Sequence, residues 1–115
     1  MIKKENRLKK RKQFAYLFKN GKHISDEFVS LVYIALKTKN FKVGYSVSKK
    51  VGKAVVRNKI KRRLKECVLS FSDQIKNQYY IIVVAKPKIV DLKFENLKTN
   101  LNTLFKKAEL LIDNN

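Results

Sequence analysis

The sequence has very few of the side chains from which protein active sites and metal centres are built. Its 115 residues include one cysteine, one histidine and nine aspartates and glutamates. A metal site needs a cluster of such ligands, and a nucleophile needs a base beside it. His23 has no candidate partner, and Cys67 lies on the apolar side of a predicted helix. We therefore predict a buried, reduced thiol, no protein metal site and no catalytic residue in this chain.

Other absences narrow the class of protein. The longest apolar stretches, Leu31–Leu36 and Tyr79–Ala85, are far shorter than the roughly 20 residues of a membrane-spanning helix. No secretory signal pattern opens the chain, and one proline and three scattered glycines indicate neither a linker nor a phosphate-binding loop. Seven phenylalanines and five tyrosines can fill a modest core. We predict one cytoplasmic domain spanning residues 1–115, without membrane contact.

Positive charge is the property in which the chain is richest. It has 28 lysines and arginines, which give a formal net charge of +19. Folding such a chain brings like charges together, and a polyanionic partner relieves that repulsion. Nucleic acid is therefore the leading candidate for a partner.

The segment from Val51 to Glu66 is predicted to form a basic helix that continues to about residue 71. At about 100° per residue, its apolar side chains fall on one line. This apolar seam consists of Val56, Ile60, Leu64, Cys67 and Phe71. The flank beside it, here called the basic arc, consists of Arg57, Asn58, Lys61, Arg62 and Lys65. Lysine-rich faces are often simply solvated, but such faces normally mix both charge signs. Because the basic arc has no acid, it suits a phosphate backbone.

Periodicity along the chain predicts seven elements. They are a helix over Leu8–Lys19 ended by a left-handed cap at Asn20-Gly21, a short edge strand over His23–Ser25, a strand over Phe28–Leu36, a strand over Phe41–Val47 paired antiparallel with the preceding one, the basic helix, a strand over Tyr79–Ala85 covered on both faces, and a helix after Asp91. The order α-β-β-β-α-β-α predicts an α+β fold, a two-layer sandwich in which helices pack on a four-stranded sheet.

One long segment resembles the signature of a known family. Residues 43–66 read VGYSVSKKVGKAVVRNKIKRRLKE and are similar to the VGxSVSKKxGxAVxRNxxKRxxRE-like segment of the bacterial ribonuclease P protein subunit. Flanking pieces agree, namely Asn6–Lys10, the pair Phe14 and Phe18, and Tyr79–Pro87. The resemblance covers about residues 3–108 and implies a ribosomal protein S5 domain 2-like fold.

The resemblance also implies a function. Ribonuclease P is the endonuclease that removes the 5′ leader from precursor tRNA. In this family the catalytic centre lies in an RNA subunit that works with Mg²⁺, which is bound mainly by the RNA subunit and the substrate. The implied partners are ribonuclease P RNA and precursor tRNA, with no obligate protein partner.

Two sets of site residues follow from the resemblance. The five residues of the basic arc match positions that contact RNA in the family, and we assign the same role to three neighbouring lysines, Lys49, Lys50 and Lys53. A cleft between the sheet and the first helix would hold the single-stranded leader, with Phe14 and Phe18 at its aromatic positions. The usual cleft tyrosine is replaced by Leu31. Tyr33 projects from the same face of that strand and is expected either to substitute for it or to leave a less aromatic cleft.

Other interpretations stay open at this stage. Phe14 and Phe18 could simply pack in the core. A ribosomal or RNA-chaperone protein would share the charge and the fold without needing the central motif. A DNA-binding module should expose Asn, Gln or Arg near the start of its recognition helix, where Gly52–Val56 offers only Lys53.

Overall fold

The computed structural model describes residues 3–112 and has the predicted order of elements. Helices and strands are α1 (Arg11–Asn20), β1 (Lys22–Ser25), β2 (Val29–Ala35), β3 (Lys42–Ser46), α2 (Ala54–Leu69), β4 (Tyr79–Ala85) and α3 (Phe94–Lys107). Short 3₁₀ turns cover Lys4–Asn6, Ser72–Gln74 and Pro87–Asp91. The predicted α-β-β-β-α-β-α order is confirmed. Within residues 3–112, we find no helix with the length and apolar character to cross a membrane.

The four strands form one sheet in the order β1-β2-β4-β3. β2 pairs antiparallel with β1 and β4, whereas β3 pairs parallel with β4. The prediction that the strand over Phe41–Val47 pairs antiparallel with the preceding strand is therefore wrong. β4, the most apolar strand, takes one of the two inner positions, and its central residues are buried on both faces. β3 reaches β4 through α2, since adjacent parallel strands need a crossover connection.

The larger part of the core lies between the sheet and the pair α2 and α3. Odd-numbered strand residues such as Leu31, Val43 and Ile81 meet the apolar faces of these two helices. The rings of Phe71 and Phe105 pack edge to face with centroids 4.8 Å apart. From α2, the buried residues are Ile60, Leu64, Cys67 and Val68. The predicted seam thus docks α2 through Ile60, Leu64 and Cys67, with Phe71 buried just after the helix. Its first member is wrong, because Val56 is exposed, and the buried Val68 was not predicted.

Cys67 has no disulfide partner and is buried in this core, as predicted. Burial raises the pKa of its thiol to about 11, with a smaller contribution in the same direction from Glu66 and an opposing one from Lys98. A buried thiol that holds its proton this firmly is a poor nucleophile and a poor metal ligand. Its role in this fold is packing.

Of the helices in residues 3–112, α1 alone packs on the opposite face of the sheet. Leu17 of α1 packs with Leu8, Val32 and Ile82 in a second, smaller cluster, and Phe14 packs against that cluster. α1 begins at Arg11 rather than Leu8 because Leu8 is extended and donates its N–H to the Val43 carbonyl, at 3.0 Å. A single short helix leaves part of this sheet face open.

Gly21 follows α1, but the predicted left-handed cap is wrong. Its φ of −76° and ψ of 164° are extended, and its N–H donates to the Leu17 carbonyl at 2.7 Å. A Cβ at this position would lie 2.7 Å from that carbonyl oxygen and 3.0 Å from the Tyr33 carbonyl oxygen. Close approach to the last turn of α1 and to β2, rather than an unusual dihedral angle, is what requires glycine here.

Candidate nucleic-acid interface

The basic arc lies on the solvent side of α2, beside the buried seam. Its side chains are exposed except for the half-buried Arg57. Among residues 3–112, the one recorded ion pair joins Lys88 and Glu27, 3.6 Å apart and far from α2 in the sequence. No carboxylate of the described residues therefore forms an ion pair with the arc. Its cations are available to an external anion.

Arg57 is positioned by the turn that precedes α2. Its Nε donates a hydrogen bond to the Gly52 carbonyl at 3.1 Å. This bond uses one nitrogen of the guanidinium and does not involve the two terminal nitrogens. Gly52 has a φ of 157°, and a Cβ there would lie 3.1 Å from Cβ of Val56. Glycine permits this backbone conformation, which side-chain-bearing residues rarely adopt. The conformation of Gly52 thus helps to orient Arg57.

Lys65, at the far end of the basic arc, lies over an aromatic ring of the sheet. Its Nζ is 6.0 Å from the ring centroid of Tyr45 on β3. Burial, with a smaller contribution from Cys67, raises the pKa of the Tyr45 hydroxyl above its usual range, so the phenol stays neutral. A cation at this distance over a neutral ring gains a modest attraction, about 0.5–1 kcal/mol at an exposed site. The contact favours one placement of the Lys65 ammonium beside the sheet.

Three more lysines extend the positive surface at the start of α2. Lys49 and Lys50 are exposed in the turn after β3, and the buried side chain of Val51 anchors that turn. Lys53 is the N-cap residue of α2, makes no side-chain capping hydrogen bond, and is followed by a first turn without an acid. The positive end of the helix dipole therefore adds to these three charges. The sequence-predicted RNA-binding residues lie on α2 and the turn leading into it.

On the other side of the sheet, the two aromatic residues of α1 differ in burial. Phe14 is half-buried and lies directly over β3, where a Cβ added to Gly44 would come within 2.5 Å of its Cζ. Phe18, one turn later, keeps 43% of its surface exposed. An exposed aromatic face is suited to stacking with a base, and the half-buried Phe14 also has a packing role.

Leu31 and Tyr33 do not share a groove with Phe14 and Phe18, and that prediction is wrong. Leu31 is fully buried in the core under α2 and α3. Tyr33 packs against the same core, where its ring meets Tyr79 at a centroid distance of 6.3 Å. Because successive strand residues point to opposite faces, both project away from α1. The sequence reasoning placed the two side chains on one face correctly, but it assigned α1 to that face.

The half-buried apolar side chains that do lie on the α1 face come from β2 and β4: Ile34, Tyr80 and Val84. Sequence reasoning missed all three. One signal was available in Gly44, because a glycine inside a strand often marks the close approach of another group. To identify the three residues, one must also know which strands pair, and this depends on the position of β4 between β2 and β3.

α1 crosses this face and divides it into two strips. In the strand register, the first strip consists of Ile34, Tyr80 and Lys42, which lie side by side. The second strip consists of Ser30, Val84 and Ser46, on the other side of the residues that α1 covers. Gln13 lines a pocket together with Lys42. Phe18 is about 140° around the helix from Gln13, and we infer from this angle that it faces the second strip. The Phe18 groove, as we define it, consists of Phe14, Phe18, Ser30, Ser46 and Val84.

The family model described as Ribonuclease P matches residues 2–109. This chain belongs to the ribonuclease P protein family. Among curated relatives, the ribonuclease P protein component of Bacillus velezensis is 41% identical over 110 residues, which cover 95% of this chain and 94% of that protein. The corresponding protein of Caldanaerobacter subterraneus subsp. tengcongensis is 36% identical over 110 residues, covering 96% and 95% of the two chains.

Solved structures of the family have the same fold. A Staphylococcus aureus RNase P protein, described as a mutant with defective mRNA degradation activity, superimposes with a TM-score of 0.88 at 31% identity, covering 94% of this chain and 92% of that one. The RNase P protein of Thermotoga maritima gives a TM-score of 0.78 at 28% identity, covering 87% and 96% of the two chains. The predicted family and α+β fold are therefore confirmed, whereas the assignment of individual RNA-binding residues stays a prediction.

Proposed function

We propose that this chain is the protein subunit of ribonuclease P, which binds the catalytic RNA and the 5′ leader of precursor tRNA and assists removal of that leader. Membership of the family and the names of its relatives support the subunit role in tRNA 5′ processing. The observation that carries the RNA-binding part is the basic arc, a row of cations without a carboxylate partner in residues 3–112. A ribosomal, RNA-chaperone or DNA-binding role has no comparable support.

The basic arc would bind backbone phosphates of structured RNA. Arg57 and Arg62 offer planar guanidinium forks that can contact two phosphate oxygens, whereas Lys61 and Lys65 act as mobile point charges. Asn58 adds an amide that can donate to phosphate or to a ribose hydroxyl. The Lys49–Lys50 turn and Lys53 would extend this phosphate contact around the start of α2.

The Phe18 groove would hold the single-stranded leader. Bases stacked on Phe18 gain affinity without requiring a particular sequence. Ser46 lies at the end of β3, and the chain continues from it into the Lys49–Lys50 turn. A strand in the groove could therefore place its phosphates against these lysines. In this arrangement Tyr33 and Leu31 support the sheet from the opposite face.

The catalytic centre would lie in the RNA subunit. Within residues 3–112, no three or more His, Cys, Asp and Glu side chains come together to hold a metal ion. The side chains described here therefore do not fit a Mg²⁺ site, and we assign the ion to the RNA subunit and the substrate. Screening of packed RNA phosphates by this chain would lower the Mg²⁺ concentration that the complex requires. A cytoplasmic location stays a prediction.

Reconstitution tests this function. Precursor tRNA is incubated with the protein, with a bacterial ribonuclease P RNA, and with both, at low Mg²⁺. We expect cleavage at the mature 5′ end with both components and none with the protein alone. The protein alone should also be incubated with an mRNA, because a solved relative is described as a mutant with defective mRNA degradation activity. Site-specific cleavage by highly purified protein would contradict the assignment of catalysis to the RNA.

A further inference from the structure

A second basic concavity lies on the opposite flank of α1 from the Phe18 groove. It is a pocket of about 420 Å³ between the N-terminal segment, the first turn of α1 and the start of β3. Five of its lining side chains are basic: Lys4, Arg7, Lys9, Lys10 and Lys42. The lining includes one carboxylate, Glu5. Such a lining favours an anionic ligand.

The walls of this pocket belong to the folded domain. Leu8 is buried and its N–H bonds to the Val43 carbonyl, while Nδ2 of Asn6 donates to the Phe41 carbonyl at 2.9 Å. These contacts fasten the N-terminal segment along the free edge of β3. The backbone that carries the lysines is therefore already placed before a ligand arrives, which reduces the entropy cost of binding.

The lysines of the pocket form no ion pair within the described part of the chain. Within residues 3–112, no carboxylate lies within ion-pair distance of Lys4, Lys9, Lys10 or Lys42. The first turn of α1 has no acid, so the positive end of its dipole points the same way. Several ammonium groups around one concavity repel one another, and an anion placed between them removes that repulsion.

We propose that this pocket binds backbone phosphates of the RNA subunit, from a strand other than the one in the Phe18 groove. The inference rests on the proposed function. Gln13 faces the pocket and Phe18 faces the groove, so the body of α1 separates the two sites. Lys42 is paired across the sheet with Tyr80, whose half-buried ring belongs to the strip on the pocket side. The protein would thus contact RNA on both flanks of α1.

Substitution of Gln13 gives the sharpest test, because one position can add either charge to the pocket. Gln13 is the third residue of α1, where a carboxylate stabilises a helix through its dipole. Weaker binding by Gln13→Glu could therefore not be due to a damaged helix. At low salt we expect Gln13→Glu to raise the Kd for the RNA subunit about fivefold and Gln13→Lys to lower it about threefold. The same Kd for both variants would overturn the proposal.

A charge-matched comparison separates the pocket from net charge. The triple variant Lys9→Gln, Lys10→Gln, Lys42→Gln removes three charges from the pocket, and Lys37→Gln, Lys93→Gln, Lys107→Gln removes three exposed charges elsewhere. We expect the pocket variant to bind the RNA subunit about tenfold more weakly than the control variant, with a flatter dependence on salt. Equal losses, or a loss seen only with long-leader precursor tRNA, would refute a separate strand in the pocket.

Two further measurements distinguish this inference from the proposed function. If the wild type and Lys61→Ala behave as the proposed function requires while the pocket variants match their controls, only the pocket assignment fails. Inorganic pyrophosphate provides a probe that does not depend on any RNA. In spectra of ¹⁵N-labelled protein it should first shift amides of residues 9–13 and 42–43, and the pocket variant should lose these shifts. Shifts spread evenly over the lysines would contradict the pocket.

Discussion

The two faces of the sheet are built for different purposes. Within residues 3–112, the face under α2 and α3 belongs to a core cluster of 22 buried residues, whereas the face under α1 contributes to a cluster of four. The first face is closed and holds the fold together. The second keeps Phe18 and a half-buried Tyr80 accessible and has basic side chains at its margins. The larger core and the proposed leader groove thus lie on opposite sides of one sheet, while the basic arc lies on the outer surface of α2.

The largest effect on the free energy of unfolding should come from a cavity in the core under α2 and α3. Phe105 is fully buried and packs against Phe71. Phe105→Ala should lower the free energy of unfolding by about 3–5 kcal/mol, since it removes buried apolar surface and leaves a cavity. Urea denaturation measures this loss. On the open face, Phe18→Ala should cost less than about 1 kcal/mol. Similar losses for both variants would contradict the division between the faces.

A smaller effect should follow from disturbing the contact between α1 and β3. In Gly44→Ala the new methyl group would lie 2.5 Å from Cζ of Phe14, so the ring or the helix must move. We expect the free energy of unfolding to fall by about 1–3 kcal/mol. Combining Gly44→Ala with Phe14→Leu should cost less than the sum of the single changes, because the two side chains compete for one space. If the losses in the free energy of unfolding were additive, the Phe14 ring would not contact position 44.

The sequence predicted the α2 side better than the α1 side for a physical reason. Helical periodicity is local, so the seam containing Ile60 and Leu64 and the flank containing Lys61 could both be read from consecutive residues. Strand alternation is also local, and it correctly put Leu31 and Tyr33 on one face. Which helix covers that face depends on pairing between distant strands.

The same limit explains the wrong strand pairing. The strands over 28–36 and 41–47 are joined by a short polar connection, which is typical of a hairpin. In the structure β4 lies between them, which requires pairing between residues far apart in the sequence. This arrangement is favoured because the unbroken apolar run of β4 gains most from burial on both faces. Only Gly44 gave a local sign that α1 approaches β3, and its partner could not be named from the sequence.

Substitutions on the open face should weaken RNA binding more than they lower the free energy of unfolding. Phe18→Ala should weaken binding of precursor tRNA with a leader of several nucleotides by about 1–3 kcal/mol, the loss expected for one stacked base, and barely affect mature tRNA. Competition binding to the reconstituted complex measures both ligands. Tyr33→Ala is the matched change on the closed face, and it should lower stability without a leader-dependent loss. A leader-dependent loss in Tyr33→Ala alone would reverse the assignment of the faces.

The smallest effects should come from single charges on the basic arc. Lys61 is exposed, so Lys61→Ala should leave the free energy of unfolding within about 0.5 kcal/mol. Its affinity for the RNA subunit should fall by up to about 1 kcal/mol. The slope of log affinity against log salt should flatten by roughly 0.7–0.9, the change expected when the protein neutralises one phosphate fewer.

Glu66 provides the control for Lys61 on the same helix. It is exposed and is the one acid of α2, one helical turn after Arg62 and just outside the basic arc. Glu66→Gln changes the net charge by the same amount as Lys61→Ala, with the opposite sign. If phosphates bind at the arc, Glu66→Gln should raise the affinity by less than Lys61→Ala lowers it and should leave the salt slope nearly unchanged, because it removes a nearby negative charge without adding a phosphate contact. A gain in affinity as large as the Lys61→Ala loss would mean that the RNA responds to the total charge of the protein, and the arc would lose its special role.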